Sequence, residues 1–198
     1  MTAQPLPVTP TLIELPTELR GQRIIVRPYR DDDAAAVFTA IDESRDHLRP
    51  WLPWVDNHTT VDDTRDFCIR SAAKWMLRSD LPLGIFAIQD GEYLGGTGLH
   101  RVDWSLRSFE IGYWLRVSAE GRGFMSEAVN LLTSFALEDL QANRVEIHCD
   151  GANTRSRAVA ERCGFVQEGR LRNARMDHDG RLGDSLVFSV IPGDRQPS

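Results

Sequence analysis

The sequence predicts one mixed α/β domain, with a central sheet covered by helices on both faces. Strand and helix patterns alternate through the middle of the chain, which is typical of this class. Asp90-Gly91 joins two strand-like runs, a strong signal for a β-hairpin. A glycine-containing turn at 120–123 separates another strand from a long amphipathic helix. A length of 198 residues fits a single domain, and no internal repeat is present.

The N-terminal part begins with an arm, residues 1–18, which holds four prolines and little periodicity. Residues 23–29 are rich in β-branched side chains and are predicted to form a strand. Asp31, Asp32 and Asp33 place negative charge at the start of the helix that follows, where the helix dipole favours it. A strand followed by a helix therefore opens the domain.

Residues 49–54 contain two prolines, which exclude a regular helix and predict a loop presenting Trp51 and Trp54. The apolar spacing over 61–77 predicts a second helix. The next predicted strands are 83–89, 92–101 and 108–115.

The second half begins with one apolar face on a helix over 124–140. A strand with alternating side chains follows at 144–149. Asn153 is predicted to cap a shorter helix that ends near Gly164. The last two predicted strands are 165–171 and 186–190.

The net charge of −6 argues against direct nucleic-acid binding, which requires a surplus of Lys and Arg. No stretch approaches the ~20 apolar residues that span a bilayer, and the start lacks the pattern of a signal peptide. We therefore expect a cytoplasmic protein with no membrane partner. The cysteines and histidines do not fall at metal-ligand or disulfide spacing, so no metal is predicted.

The turn Glu120-Gly121-Arg122-Gly123 lies between a predicted strand and a predicted helix. Its glycines let the backbone approach a ligand closely, while successive amides and the helix dipole face one point. That geometry binds phosphate oxygens. The turn lacks the Gly-Lys-Ser/Thr ending of a P-loop, and a tight turn without a ligand is the alternative.

Further motifs follow a fixed order around this turn. They are residues 48–54, 110–115, 123–128, 153–156, 163–165, 168–169 and 184–188. With these motifs the chain resembles the Gcn5-related N-acetyltransferase (GNAT) superfamily, and within it the RimJ/RimL-like branch of ribosomal-protein and N-terminal acetyltransferases. The similarity implies a single acetyltransferase domain over 19–192 and a C-terminal tail over 193–198.

The resemblance implies a mostly antiparallel mixed sheet of about seven strands, splayed between the fourth and fifth. It also implies acetyl-CoA as co-substrate. Backbone groups at Leu115, Arg116 and Val117 would hold the pantetheine arm. The residues implied around the coenzyme A diphosphate are Gly121, Arg122, Gly123, Phe124, Met125 and Ser126, and Asn153 and Ser156 match the Asn-x-x-Ser motif of the family.

The diphosphate motif departs from the family pattern at two positions. Glu120 stands where Gln or Arg is usual, and Met125 where a small residue is usual. A carboxylate repels a diphosphate, so we expect Glu120 to turn outward and Arg122 to supply positive charge.

The resemblance implies Glu110 as the general base and Ser156 as the donor to the departing thiolate. The alternatives are a solvent-exposed strand glutamate and a serine that only lies in the first turn of its helix. Arg175 stands roughly where some RimL-type relatives carry a glutamate. Trp51 and Trp54 are candidates for the wall of the acceptor site, with core packing or a dimer contact as the alternative.

The function that this implies is acetyl transfer from acetyl-CoA to a primary amine by direct attack in a ternary complex. The favoured acceptor is a protein or peptide N-terminal α-amine, of a ribosomal or another protein. Acylation of a small amine and a non-catalytic acyl-CoA-binding module are the alternatives. A homodimer, the acyl-chain length and the acceptor stay open.

Overall fold

A computed structural model describes residues 9–177 and 179–194. The outer parts of the predicted arm and tail, 1–8 and 195–198, and His178 lie outside the described residues. The strands are β1 (Leu19–Arg20), β2 (Ile24–Pro28), β3 (Leu81–Ala87), β4 (Tyr93–Asp103), β5 (Ser108–Leu115), β6 (Arg144–Asp150), β7 (Val166–Met176) and β8 (Leu182–Val190). The α-helices are α1 (Ala34–Leu48), α2 (Val61–Leu77), α3 (Phe124–Ser134) and α4 (Thr154–Arg162).

The strands form one sheet in the order β1-β2-β3-β4-β5-β6-β8-β7. Only the β5–β6 pair is parallel among the described strands, and the other pairs are antiparallel. The predicted mixed, mostly antiparallel sheet is thus confirmed. The strand count of about seven is low by one because β1 has only two residues, too few to leave a pattern in the sequence.

The sheet splits between its two parallel strands. β5 pairs with β4 up to Leu115, whereas it pairs with β6 only through Ser108, Phe109 and Glu110. From Ile111 onward the two strands diverge. This is the splay that the resemblance implied between the fourth and fifth predicted strands, and it opens a cleft in the middle of the sheet.

Helices cover both faces of the sheet. Neighbouring residues of one strand belong to different apolar clusters: Ile85 packs with Val129 and Leu132 of α3, and Phe86 packs with Ile41 of α1. Because side chains alternate across a strand, the two clusters lie on opposite faces.

The long helix predicted over 124–140 does not stay α-helical to its end. It is an α-helix to Ser134, and Phe135–Asp139 forms a π-helical turn. The amide of Leu140 donates to the carbonyl of Phe135 at 3.1 Å, five residues back. A change in helix type leaves the apolar face intact, so the apolar spacing gives no sign of it.

The described part of the predicted N-terminal arm packs on the domain. Ile13 is buried in the larger apolar cluster, and its carbonyl accepts a hydrogen bond from Arg78 Nη2 at 2.9 Å. At the other end, β7 and β8 extend beyond the predicted strands and are joined by a turn after Met176. No described helix has the length and apolar character needed to cross a membrane.

Candidate functional site

A cleft of about 1150 Å³ opens where β5 and β6 separate. Most of the residues singled out in the sequence line it: Trp51, Glu110, Leu115, Gly121, Gly123, Phe124, Met125, Ser126, Asn153 and Ser156. The lining does not include Trp54, Arg116, Val117 or Arg122. The fold thus brings the predicted phosphate turn, base and donor into one cavity.

The turn before α3 requires glycine at two positions. Gly121 has φ +71° and Gly123 has φ +80°, in the left-handed region that side chains disfavour. Gly123 is the residue that caps α3, and Glu127 N donates to its carbonyl at 3.2 Å. The amides at the start of a helix have no partner within the helix and face the positive end of its dipole. The residues of this first turn, Phe124, Met125 and Ser126, line the cleft.

Arg23, the residue before β2, supports the turn. Its Nη1 donates to the carbonyl of Arg122 at 2.8 Å, and its Nε donates to Glu127 Oε2 at 2.9 Å. The guanidinium of Arg122 lies 4.8 Å from the ring centre of Phe124. The prediction that Arg122 supplies positive charge to a diphosphate stays a prediction.

Glu120 does not turn outward as expected. It lines the cleft, where Oε1 lies 2.7 Å from His47 Nε2 and Oε2 accepts from Arg155 Nη1 at 3.0 Å. A guanidinium and an imidazole compensate the carboxylate, which explains why it tolerates an inward position.

Two arginines of α4, which the sequence analysis does not single out, add positive charge to the cleft. Arg155 and Arg162 both line the cleft, and Arg162 Nη1 donates to Ser126 Oγ at 3.1 Å. Their separation of seven residues places them on one face of a helix, and this spacing was the available signal.

Two of the three amides expected to hold a pantetheine arm are used within the protein. Arg116 N donates to the carbonyl of Leu94 at 2.8 Å, and Val117 N donates to Ser44 Oγ at 3.0 Å. The open side of β5 runs instead from Ile111 to Leu115, where pairing with β6 has ended. An extended ligand can add there as a strand does.

Ser156 and Tyr113 form a hydroxyl pair in the cleft. Asn153 Oδ1 accepts from Ser156 N at 3.0 Å, which confirms Asn153 as the cap of α4. Ser156 Oγ lies 3.0 Å from the hydroxyl of Tyr113, which also lies 3.0 Å from the carbonyl of Ser156. Burial raises the pKa of Tyr113 above its ordinary range, so its proton stays in place.

Glu110 lies at the point where the strands separate, and its side chain is 17% exposed. Among the described residues its Oε2 has no hydrogen-bond partner, although Arg101 Nε forms an ion pair with it at 3.2 Å. Arg101 lies at an irregularity of β4 with φ +47°, which directs it toward the cleft. A solvent-exposed strand glutamate therefore does not describe Glu110.

Glu110, Glu146 and His148 bring potential metal-ligand atoms within 4.8 Å of one another. Glu146 already accepts from Arg144 Nε, and its Oε2 lies 2.8 Å from His148 Nε2. Within the group, a hydrogen bond thus joins Glu146 to His148, while Glu110 stands apart from that pair.

The two tryptophans of the proline-containing loop lie in different places. Trp51 lines the cleft, and its carbonyl accepts from Arg175 Nη2 at 3.2 Å. Trp54 packs edge-on against Trp114, with ring centres 5.7 Å apart. Trp51 is therefore placed to meet a ligand, and Trp54 is placed to support Trp114.

Comparisons with known protein families, sequences and structures all find acetyltransferases. The family model described as "Acetyltransferase (GNAT) domain" matches residues 23–166. The Bacillus subtilis (strain 168) protein named "Putative ribosomal N-acetyltransferase YdaF" is 34% identical over 173 residues, 86% of this chain and 92% of that protein. The structure of Mycobacterium smegmatis RimJ with CoA-disulfide is 30% identical, has a TM-score of 0.80, and is matched over 88% of this chain and 85% of that one. RimL, the ribosomal L7/L12 α-N-protein acetyltransferase solved with coenzyme A, shares the fold at a TM-score of 0.83 and 22% identity over 90% of this chain and 99% of that one.

Proposed function

This chain belongs to the GNAT family of acetyltransferases and to its RimJ/RimL-like branch, whose acyl donor is acetyl-CoA, and from that premise we propose that its acceptor is the N-terminal α-amine of a protein or peptide. The relatives named as ribosomal-protein acetyltransferases support a ribosomal protein as one such acceptor.

One observation supports transfer from acetyl-CoA in this cleft: the turn glycines, the open edge of β5, Glu110 and the Ser156–Tyr113 pair all line one continuous cavity. The turn at Gly121 and Gly123, with the cations Arg155 and Arg162 beside it, suits the diphosphate of the coenzyme. The open side of β5 suits the pantetheine arm. Glu110 and the Ser156–Tyr113 pair then flank the place where the thioester would lie.

In the proposed reaction a neutral amine attacks the thioester carbonyl carbon. A backbone amide on the open side of β5 stabilises the oxyanion, an effect that typically contributes about 3 kcal/mol. The C–S bond then breaks, and Ser156, hydrogen-bonded to Tyr113, donates toward the departing thiolate. Glu110 receives a proton from the amine.

A panel of acceptors tests the proposal. Peptides with different first residues, the same peptides with blocked α-amines, polyamines and aminoglycosides are each mixed with protein and acetyl-CoA. We expect thiol release only with free α-amines, and a product heavier by one acetyl group. Turnover confined to polyamines or aminoglycosides would reassign the acceptor to small molecules. Stabilisation by acetyl-CoA with no turnover on any amine would indicate a binding module instead.

A further inference from the structure

Two potential proton acceptors lie close together in the cleft. Glu110 Oε2 and His148 Nδ1 are 3.9 Å apart, and both residues line the cleft. This distance is too long for a direct hydrogen bond. One donor nitrogen placed beside both atoms can reach each of them at about 2.8 Å.

Glu146 fixes which nitrogen of His148 faces the cleft. Glu146 Oε2 lies 2.8 Å from His148 Nε2, and a carboxylate accepts, so the neutral ring carries its proton on Nε2 and presents Nδ1 as an acceptor. Burial raises the pKa of Glu146, but hydrogen bonds from Arg144 and His148 outweigh it and keep the pKa below its ordinary value. Glu146 therefore stays ionised and holds the ring.

We propose that the nitrogen of the acceptor amine binds between Glu110 Oε2 and His148 Nδ1, a space that we call the notch. His148 is then a second catalytic residue beside Glu110. Glu146 is a positioning residue that acts through His148. The inference rests on the proposed acetyl transfer to an amine and assigns the place and the partners of that amine.

The reaction removes two protons from the amine nitrogen, and the notch provides two acceptors for them. A protonated amine, R–NH₃⁺, loses one proton before its lone pair attacks, and a second proton after the N–C bond has formed and the C–S bond has broken. The product R–NH–CO–CH₃ keeps one proton, the thiol takes one, and one passes to solvent. Two acceptors on one nitrogen allow both protons to leave without moving the substrate.

The surrounding charges are consistent with a bound cation. Glu110 and Glu146 contribute carboxylates from β5 and β6, while Arg144 is committed to Glu146 and Glu168. Glu110 Oε2 is itself buried, with Arg101 Nε 3.2 Å away, so an amine reaches it only when Arg101 moves. The Arg101 side chain is 75% exposed, which leaves it room to do so.

The test compares His148→Ala with a matched histidine variant. His100 lies on β4 in register with Glu110, and its Nδ1 lies 2.9 Å from Asp80 Oδ1, but it does not line the cleft. We expect His148→Ala to lower kcat/KM for the peptide at least tenfold, with the coenzyme A Kd unchanged within twofold. Added imidazole should restore part of the rate. His100→Ala should keep wild-type values.

Two further measurements separate a catalytic role from a structural one. The acidic limb of the plot of kcat/KM against pH should shift in the Glu146→Gln variant, because the His148 ring loses its ionised partner. Peptide binding to the enzyme–coenzyme A complex, measured by calorimetry without turnover, should weaken in His148→Ala. If the wild type is active and His148→Ala has the same kcat/KM and peptide affinity, the inference about His148 is wrong while the proposed function stands. A wild type inactive on every amine would overturn the proposed function.

Discussion

Gly123 lines the cleft and has a backbone conformation that favours glycine. Its φ of +80° disfavours a side chain, and a Cβ there would stand at the mouth of the turn, 3.4 Å from Arg23 Nη2. We predict that Gly123→Ala raises the Kd for coenzyme A at least tenfold and costs about 1 kcal/mol of stability. Calorimetry and urea denaturation measure the two effects.

Gly164 provides the matched control. Its φ of +82° carries the same strain, a Cβ there meets nothing within 4 Å, and it does not line the cleft. Gly164→Ala should lose similar stability while binding coenzyme A as the wild type does. Equal loss of affinity in both variants would assign the effect to strain and remove the turn from the binding site.

The hydroxyl of Tyr113 lies 3.0 Å from Ser156 Oγ, so we expect the two side chains to act as one hydrogen-bonded unit, in which Tyr113 orients Ser156. Tyr113→Phe and Ser156→Ala should each lower kcat about tenfold, and the double variant should lose little more. Because burial raises the pKa of Tyr113 above its ordinary value, its titration should add no limb to the pH–rate profile near neutral pH. Losses that multiply in the double variant would contradict a shared role.

The sequence predicts which residues line the cleft better than it predicts which side chains contact one another. The turn glycines, Glu110 and Ser156 were found by motif, and the fold brings them into one cleft. Histidine spacing gives no prediction for His148, because its partner is Glu146, two positions away on the same strand face. The inward position of Glu120 depends on Arg155 and His47, which come from two other helices.

At the scale of the element, α4 depends on its cap. Asn153→Ala removes the acceptor for Ser156 N and should cost about 1 kcal/mol of unfolding free energy. Asn153→Asp keeps that acceptor and adds a negative charge at the cleft. We predict near wild-type stability for Asn153→Asp together with weaker coenzyme A binding, measured by thermal unfolding and calorimetry. Wild-type affinity for coenzyme A in Asn153→Asp would show that Asn153 caps α4 but does not contribute to coenzyme A binding.

Element types followed from periodicity, but element ends did not. The helical and strand patterns marked the correct segments because each buries one face against the sheet. The ends of β7 and β8 lie in a hairpin whose side chains are largely exposed, so no apolar alternation marks them. The two-residue β1 owes its pairing to β2 alone and leaves no pattern of its own.

For the molecule as a whole, a paired charge secures the face opposite α3. Arg27 donates twice to Asp33, at 2.8 and 2.7 Å, and the two side chains are 15% and 9% exposed. Asp33→Ala leaves the guanidinium largely buried and unpaired, and we predict a loss of about 3 kcal/mol in urea denaturation. Neither residue lines the cleft, so kcat of the folded enzyme should not change.

The exposed neighbour Asp32 is the control for that prediction. Asp32→Ala should change the unfolding free energy by less than about 0.5 kcal/mol. A similar loss in both variants would point to the charge at the start of the helix rather than to the buried pair.

The separation of β5 from β6 has a consequence for how the chain is made. The strands before it come from residues 19–115 and those after it from 144–190, so each side of the sheet is one uninterrupted stretch of chain. During synthesis the first five strands can pair before the sixth leaves the ribosome, since N-terminal units generally fold first. The short β5–β6 ladder, with three residue pairs, can then form only after the sixth strand has been made, and it lies at the edge of the cleft.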